Sequence, residues 1–405
     1  MVKKYTITYD NYKFNGKILL KEVLSMDIVK IIGENIKSLM KERSISYREL
    51  GREIGVSHPT MKRYVNGEQP MDSEKLMCVA KYFNKPFESF FRECSNDEAV
   101  FTFMFRADKA SEHVAEIDLD RMRLSIQGYL DVMDHDDVHS IPGKYSLPSE
   151  GKKVLSAKLK MKLEEIANAH RRILDIENVI PENYYDVFAS AGINVIVRKF
   201  NNPDFFGMSS YAENNGCFII VNDDENIPEE RKLFTLVHEY AHLLFDREQY
   251  SKDNKDVFYT SGRADMSEKI ANKFAGYFLM PRHKVEAYAK DKDNLDLVMM
   301  KKHFKVSLQG LFVMLREYKI ISKASSDRFW KRTMANGALK EEPYPMESLS
   351  LEKKNVRLIE KLKDDYLNGT ISANKISEVL GLSIVDVRKL LRRWSELDER
   401  YIHHR

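Results

Sequence analysis

The sequence predicts a multidomain α+β protein with an N-terminal all-α helix-turn-helix bundle, a central domain that combines a small sheet with helices, and a C-terminal helical module. Three observations predict this class. Apolar residues repeat at helical spacing through residues 29 to 91, a short β-branched run precedes an apolar helix around residue 238, and a helix, glycine turn and basic helix follow residue 371. A chain of 405 residues is expected to contain roughly two to four domains.

Composition argues against several classes of protein. Hydrophobic residues make up 43% of the chain, which is enough for buried cores. No apolar run reaches the roughly 18 residues that a membrane span requires, and the N-terminus carries no hydrophobic leader stretch. We therefore expect a soluble cytoplasmic protein without a membrane partner. Cys78, Cys94 and Cys217 are odd in number and widely spaced, which argues against a disulfide framework and against a cysteine zinc site.

Residues 1–26 begin with strand-like alternation and are predicted to form a strand-like extension. Residues 27–92 carry a helix-turn-helix pattern. Ser46 opens a short helix with a capping box, Gly55 lies in the turn that follows, and Ser57 is the expected N-cap of the next helix. In a DNA-binding helix-turn-helix, one helix braces the phosphates while the next enters the major groove.

This segment resembles the Cro/repressor-type helix-turn-helix proteins of the Xre family. Because the net charge of +3 is nearly balanced, affinity for nucleic acid must come from local basic patches. The resemblance implies a double-stranded DNA operator as partner and a homodimer that spans two half-sites. It implies groove contacts by Ser57, His58, Thr60 and Met61, base or phosphate contacts by Lys62 and Arg63, and backbone contacts by Arg48 and Arg52. A partner-binding or dimerising bundle is the alternative interpretation.

Residues 93–150 are predicted to be a linker region. Phe101 to Arg106 is typical of a short strand or aromatic plug, Ser111 to Met133 of a helix, and Asp134 to Gly151 of a loop. A solvated acidic loop is favoured over a second metal site there. The loop contains two histidines among its aspartates, His135 and His139.

The most informative stretch of the chain is the helix through His238, Glu239 and His242. Gly216 to Asn222 is typical of a strand, and Pro228 with the acidic residues after it marks the helix N-terminus. The histidines are one turn apart, so both imidazoles leave the same face and can share a zinc ion, with the glutamate beside the water. Burying three such polar groups without a partner would be costly. A chance match in a buried apolar helix is the alternative.

A catalytic zinc needs a third protein ligand and an open position for water. Glu268 is the candidate, because it lies near the start of a helical segment that Pro281 ends, with Ser267 or Asp265 as the predicted cap. An ordinary first-turn acid is the alternative. The expected chemistry is peptide-bond hydrolysis, in which Glu239 takes the proton of the attacking water and delivers it to the leaving amine.

The two motifs, FTLVHEYAHLLF and the later E-x-x-A-N-x-F-A pattern that ends at Met-Pro, resemble the ImmA/IrrE family of zinc metallopeptidases. The resemblance covers residues 151–320 and implies a zincin-like domain whose substrate is a protein such as a repressor. Many relatives carry a second glutamate where this chain has Ile270, so the ligand role rests on Glu268. The implied ligands are His238, His242 and Glu268, with Glu239 as general base. Oxyanion stabilisation or a structural role is open for Tyr211, Tyr240, Tyr259 and His283.

Residues 350–405 are predicted to form a helical module and are a candidate second helix-turn-helix. Ile371 to Ser383 and Val385 to Trp394 again give a helix, a glycine turn and a basic helix. An accessory or dimerisation module is the favoured alternative, because Asp386 lies early in the would-be reading helix and would repel phosphate.

The leading hypothesis is a DNA-binding transcription regulator whose zinc-dependent endopeptidase domain cleaves a repressor, another partner or itself in response to stress or mobile-element signals. The alternative is a non-catalytic regulator or antitoxin-like protein that uses the zincin fold as a sensor or interaction domain. Glu239 favours chemistry, because a structural metal site needs no glutamate between its ligands. The DNA-binding pattern argues against a free-standing digestive protease.

Overall fold

The computed structural model describes residues 16–91, 102–105, 116–133, 145, 154–200, 202, 205–212, 216–247, 263–290, 296–335 and 342–402. The chain forms two compact units. The first comprises residues 1–98 and 115–121, and the second comprises residues 99–114 and 122–405. The predicted α+β fold class is confirmed, and no helix among the described residues is both long and apolar enough to cross a membrane.

The first unit is a helical bundle. Side chains of Ser46, Ser57 and Asp72 cap the second, third and fourth helices. The helices are α1 (Gly16–Glu42), α2 (Tyr47–Glu53), α3 (His58–Val65) and α4 (Ser73–Phe83), followed by a 3₁₀ turn (Phe87–Phe91). Their apolar faces enclose one core, formed by residues that include Ile36, Leu50, Met61, Val79, Phe83 and Phe90. The predicted helix-turn-helix is therefore present, with Gly55 in the left-handed region at the turn (φ +70°).

The predicted strand-like extension over residues 1–26 is wrong for its second half, because α1 already begins at Gly16. Residues 16 to 26 contain no proline and are rich in leucine and lysine, which favour helix and extend the helix of the bundle backwards. Residues 1–15 lie outside the described part of the chain.

The second unit is built on a four-stranded sheet with the strand order β1-β3-β4-β2. Strands β2 and β4 are parallel, whereas β3 runs antiparallel to both β1 and β4. The strands are β1 (Thr102–Phe105), β2 (Asn194–Arg198), β3 (Gly207–Ala212) and β4 (Gly216–Asn222). Strand β1 lies in the predicted linker region 93–150, so part of that region belongs to the sheet.

The helices of this unit pack on the sheet and on one another. They are α5 (Glu116–Val132), α6 (Ala157–Ile173), α7 (Tyr184–Ser190), α8 (Glu229–Phe245), α9 (Arg263–Leu279), α10 (Arg282–Tyr288), α11 (Leu297–Phe304), α12 (Leu308–Glu317), α13 (Lys323–Ala335), α14 (Leu351–Lys354), α15 (Val356–Leu367), α16 (Ala373–Leu380) and α17 (Ile384–Ile402). The first residues of α5 belong to the other unit. Except for Tyr145, the predicted loop from 134 to 151, with His135 and His139, lies outside the described residues.

Helix α8 lies at the centre of the core, because nearly all of its residues and all of β4 are buried. Its Tyr240 hydroxyl is hydrogen-bonded to Nδ1 of His170 on α6 at 2.6 Å, and Nε2 of His170 lies 3.1 Å from the Tyr145 hydroxyl. Phe188 and Phe274 pack around the Tyr240 ring. These contacts around Tyr240 hold one face of α8 in the core. His238 and His242 lie on a different face of the same helix.

The C-terminal module is bound to the N-terminal end of α8 by buried charges. Lys354 Nζ lies 2.7 Å from Asp223 Oδ1 and 2.9 Å from Glu229 Oε1. Lys232 Nζ lies 2.8 Å from each of the same two oxygens. Both lysines are buried, so each needs both carboxylates to offset its desolvation.

Asn355 pairs with the outer edge of the sheet. The strand order leaves β2 at this edge, where Val197 N–H donates to Asn355 Oδ1 at 2.8 Å and Asn355 Nδ2 donates to the Val197 carbonyl at 2.9 Å. The side-chain amide therefore replaces the hydrogen bonds of a further strand.

Replacing Asn355 by alanine should destabilise the second unit by about 2 to 4 kcal/mol, because the Val197 N–H and C=O would stay buried without those bonds. Urea unfolding of the full chain measures this loss. Asn368→Ala, at an exposed helix end, is the control and should change stability by less than about 0.5 kcal/mol. Equal stabilities of the two variants would contradict the role assigned to Asn355.

Burial lowers the pKa of His170 to about 4, below the ordinary value of 6.5. The unfolded chain therefore takes up this proton first as the pH falls, and the fold should lose about 3 kcal/mol between pH 6.5 and pH 4 from this group. Above pH 6.5 it should contribute no pH dependence. Urea unfolding across this range should give a shallower pH slope for His170→Gln than for the native chain; identical slopes would contradict the prediction.

Candidate metal centre

Helix α8 brings two imidazole nitrogens together at one point. His238 and His242 are fully buried, and their Nε2 atoms lie 3.0 Å apart because the residues are one helical turn apart. Their ring centroids are separated by 4.7 Å. Two nitrogen lone pairs at this distance repel each other unless a cation or a proton lies between them.

Glu268 on α9 completes the cluster. Its Oε2 lies 3.3 Å from His238 Nε2 and its Oε1 lies 3.3 Å from His242 Nε2. Helix α9 begins at Arg263, so Glu268 is not a first-turn acid, and the caps predicted at Ser267 and Asp265 are wrong because both residues lie within the helix. One ligand atom from each of the three residues lies within 4.8 Å of the others, which makes them a candidate metal-binding group.

A second set of side chains orients both imidazoles. His238 Nδ1 lies 3.1 Å from Asn272 Oδ1, and His242 Nδ1 lies 2.8 Å from Asp246 Oδ2. Ser267 Oγ in turn donates to Asp246. With Nδ1–H donated to these oxygens, each Nε2 would direct a lone pair at the shared point when a metal is bound, as in most histidine metal sites.

The charges of the cluster support one another. Burial by itself raises the pKa of Glu268, but hydrogen bonds from His238 and His242 outweigh it and hold that pKa well below its usual range. Burial lowers the pKa of His242, but hydrogen bonds to Asp246 and Glu268 raise it well above its ordinary value. The cluster therefore stabilises positive charge at the point where the ligand atoms meet.

Glu239 follows His238 on α8 and is fully buried, and a residue of the sheet holds its carboxylate in place. Ser209 Oγ on β3 donates to Glu239 Oε2 at 2.7 Å. The close approach of β3 to α8 depends on Gly207, where a Cβ would lie 2.5 Å from Thr235 Cγ2 and 2.8 Å from the Ile220 carbonyl oxygen. The Phe206-Gly207 turn therefore leads into β3, the strand whose Ser209 contacts Glu239.

Sequence reasoning missed four residues that position the site. Asp246 and Asn272 each follow a ligand by four residues, at 242 and 268, so helical spacing was the signal that could have identified them. Ser267 directly precedes Glu268, where the sequence pattern predicts only a helix cap. Ser209 gave no local signal, because it lies 30 residues from Glu239 and meets it only through the packing of β3 on α8.

The candidates for oxyanion stabilisation lie in different places. Tyr240 is buried with its hydroxyl on His170, so its hydroxyl belongs to the core cluster. The Tyr211 ring lies 5.4 Å from the Arg247 guanidinium, and His283 is exposed on α10. Tyr259 lies outside the described residues.

In the first unit most of the residues predicted to contact DNA are exposed. Met61 is the exception, and its predicted groove contact is wrong, because its side chain is fully buried with Tyr64 and Val65, three and four residues further along α3. Thr60 is half-buried, with its hydroxyl 2.8 Å from Ser57 Oγ. The other predicted residues are exposed: Arg48, Arg52, Ser57, His58, Lys62 and Arg63.

Comparison with known families identifies both parts of the chain. Residues 35–88 match the family described as the Cro/C1-type HTH DNA-binding domain. Residues 188–315, which contain the histidine cluster and Glu268, match the family described as the IrrE N-terminal-like domain, a peptidase family.

One curated relative is similar over a short stretch. The antitoxin PezA of Streptococcus pneumoniae serotype 4 is 35% identical over 54 residues, which is 13% of this chain and 34% of that protein. The chain therefore matches only about a third of that relative's length. These matches, together with the geometry described above, lead to one conclusion: the chain joins a Cro/C1-type helix-turn-helix DNA-binding domain to an IrrE N-terminal-like domain that surrounds the candidate metal centre.

Proposed function

We propose that this protein is a DNA-binding transcription regulator whose central domain is a zinc-dependent endopeptidase that cleaves a repressor, another partner protein or the chain itself. The observation that carries the proposal is the position of Glu239. It is buried beside three convergent ligand atoms and is held by Ser209, an arrangement that a structural metal site would not need.

The donor set supports zinc as the metal. Two imidazoles and one carboxylate are a common catalytic zinc set. The ligand atoms of His238, His242 and Glu268 are 3.0 to 3.3 Å apart. This is close to the edge of about 3.3 Å in a tetrahedron whose metal–ligand bonds are about 2.0 to 2.1 Å. The oxygens of Asn272 and Asp246 behind the imidazoles complete the usual outer shell.

When bound, zinc would lower the pKa of a water molecule and polarise a substrate carbonyl. Glu239 would accept the proton of the attacking water on its carboxylate and pass it to the leaving amine. Ser209 keeps this carboxylate oriented by donating to one of its oxygens. The apolar core around α8 excludes bulk water from the glutamate and so strengthens its interaction with the proton.

An extended segment of the chain itself already pairs with β3, the strand that carries Ser209. The backbone of β1 pairs antiparallel with β3, with Met104 opposite Ser209. This segment comes from the stretch between the two matched domains, so a part of the chain already lies extended one strand away from the glutamate. Substrate binding by strand pairing, including self-cleavage, is consistent with this arrangement.

The first unit supplies the DNA-binding part of the proposal. Lys62 and Arg63 are exposed on α3, and Arg48 and Arg52 are exposed on α2. Exposed cations on both helices support contact with phosphate, and the exposed Ser57 and His58 at the start of α3 are the proposed contacts to base edges. A dimer would allow two copies of α3 to reach successive half-sites.

The similarity to an antitoxin favours a second candidate function. That match is about the length of the helix-turn-helix domain, so it supports a regulator or antitoxin-like protein whose metal domain acts as a sensor or interaction domain. The two proposals differ in one measurable property, which is Glu239-dependent cleavage of a protein.

Replacing Glu239 by glutamine should lower proteolysis at least about 100-fold while leaving zinc binding near stoichiometric, because the glutamate moves protons and is not a ligand. The native chain and the variant would be incubated alone and with repressors encoded beside the gene, and the products identified by intact mass. Glu165→Gln, on the exposed face of α6, is the control and should cleave normally. Zinc binding without cleavage by the native chain would favour the sensor function.

Replacing Asp246 by asparagine should weaken zinc affinity about 10- to 100-fold, because His242 Nδ1–H would lose its charged acceptor. Competition against a chromophoric chelator measures this change. Asp186→Asn, on the exposed face of α7, is the matched control and should bind zinc as the native chain does. Unchanged affinity in the Asp246 variant would contradict its role in orienting the ligand.

A further inference from the structure

The C-terminal helices α16 and α17 repeat α2 and α3 position by position. Ser46–Val65 aligns with Ser372–Leu391 without an insertion or deletion. Five apolar positions are buried in both segments. These pairs are Leu50 and Ile376, Ile54 and Leu380, Met61 and Val387, Tyr64 and Leu390, and Val65 and Leu391.

The turn between the helices is the same in both pairs. Gly55 has a φ of +70° and Gly381 a φ of +64°, a left-handed conformation that strains other residues. Two residues later, Ser57 and Ser383 each accept a hydrogen bond from the backbone N–H three residues further on, at 3.3 and 3.2 Å. The turn and the cap between α16 and α17 are therefore of the same kind as those between α2 and α3.

Basic residues stand at equivalent positions on the two second helices. Arg388 and Lys389 are exposed on α17 where Lys62 and Arg63 are exposed on α3, and Arg392 is exposed one turn beyond Arg388. Arg388 and Arg392 therefore point from the same face of α17 and form a cationic pair at the surface.

Asp386 stands at the position of Thr60, and its negative charge is offset by contacts with neighbouring side chains. Its Oδ2 accepts from Ser383 Oγ at 2.6 Å, and its Oδ1 lies 2.9 Å from Lys389 Nζ. A carboxylate at this position of a reading helix can also accept a hydrogen bond from the amino group of cytosine. The acid is therefore compatible with a DNA-facing helix.

We propose that α17 is a second DNA-contacting helix, which places Arg388 and Arg392 on the phosphate backbone of duplex DNA. Guanidinium groups bind phosphate oxygens through two parallel hydrogen bonds, and two of them one turn apart suit a strand of regularly spaced phosphates. The inference extends the proposed function and is separable from it, because contact by α17 does not require contact by α3.

The position of α17 gives this contact a consequence for the metal centre. The C-terminal module is bound to the same unit through Lys354 and Asn355. Binding of DNA by α17 would therefore attach DNA directly to the unit that contains the candidate metal centre.

The test uses the full chain and a fluorescent mixed-sequence duplex, with affinity measured by anisotropy over a salt series. Arg388→Ala/Arg392→Ala should weaken binding about 10-fold and reduce the slope of log affinity against log salt by about 2, because two phosphate contacts are lost. Lys158→Ala/Lys162→Ala removes two exposed cations with the same spacing from α6 and should leave both quantities unchanged. Arg388→Lys/Arg392→Lys should restore the slope, which a purely structural role of the arginines would not predict.

A parallel variant, Lys62→Ala/Arg63→Ala, tests the proposed DNA contact by α3. Loss of affinity in this variant alone would overturn the inference about α17 and leave the proposed function standing. Loss in the α17 variant alone would support the inference and contradict the contact by α3. Thermal unfolding of each variant confirms that the exposed substitutions leave the fold intact; an α17 variant that binds like the α6 control, as a protein-docking helix would, overturns the inference.

Discussion

Helix α8 must bury three polar side chains within an apolar core, and much of the second unit is arranged to satisfy them. His238, Glu239 and His242 are each almost completely inaccessible to solvent. Each has a dedicated partner: Asn272 comes from α9 and Ser209 from β3, whereas Asp246 is the residue that ends α8 itself. Because an unpartnered polar group in such surroundings costs several kcal/mol, the positions of α9 and β3 against α8 are fixed by these contacts as well as by packing.

The other end of α8 is held by charge. Glu229 and Glu230 lie in its first turn, where the helix dipole favours acids. Glu229 binds Lys232 and Lys354, while Glu230 is buried against Lys301, whose ammonium also reaches Glu342 at 3.1 Å. The chain that leads to the C-terminal module is thereby attached to the helix that carries the candidate ligands. The effects on stability of substitutions in the first turn of α8 and at Lys354 should therefore be non-additive, because these residues share one network of ion pairs.

The chain contains two helix-turn-helix pairs that differ in surroundings. The first lies in a separate unit, and the second is built into the unit of the metal centre. Their buried positions are equivalent, whereas the surfaces of their first helices differ: Arg48 and Arg52 on α2 correspond to the exposed Asn374 and the half-buried Glu378 on α16. Equivalent cores with different surfaces would let the two pairs dock on DNA in similar ways while contacting it through different groups.

Local sequence patterns determined the fold class, the N-terminal helix-turn-helix, β4, and the spacing that places His238 and His242 on one face of α8, because periodicity and caps depend on neighbours within a turn. They also identified Glu268. Only the tertiary structure decided the rest. Strand β1 joins the sheet through β3, Ser209 reaches Glu239, Met61 turns into the core, and Asn355 completes the β2 edge. These features join residues distant in sequence or depend on which helix face meets the core, and such pairing is set by packing that no short window of sequence contains.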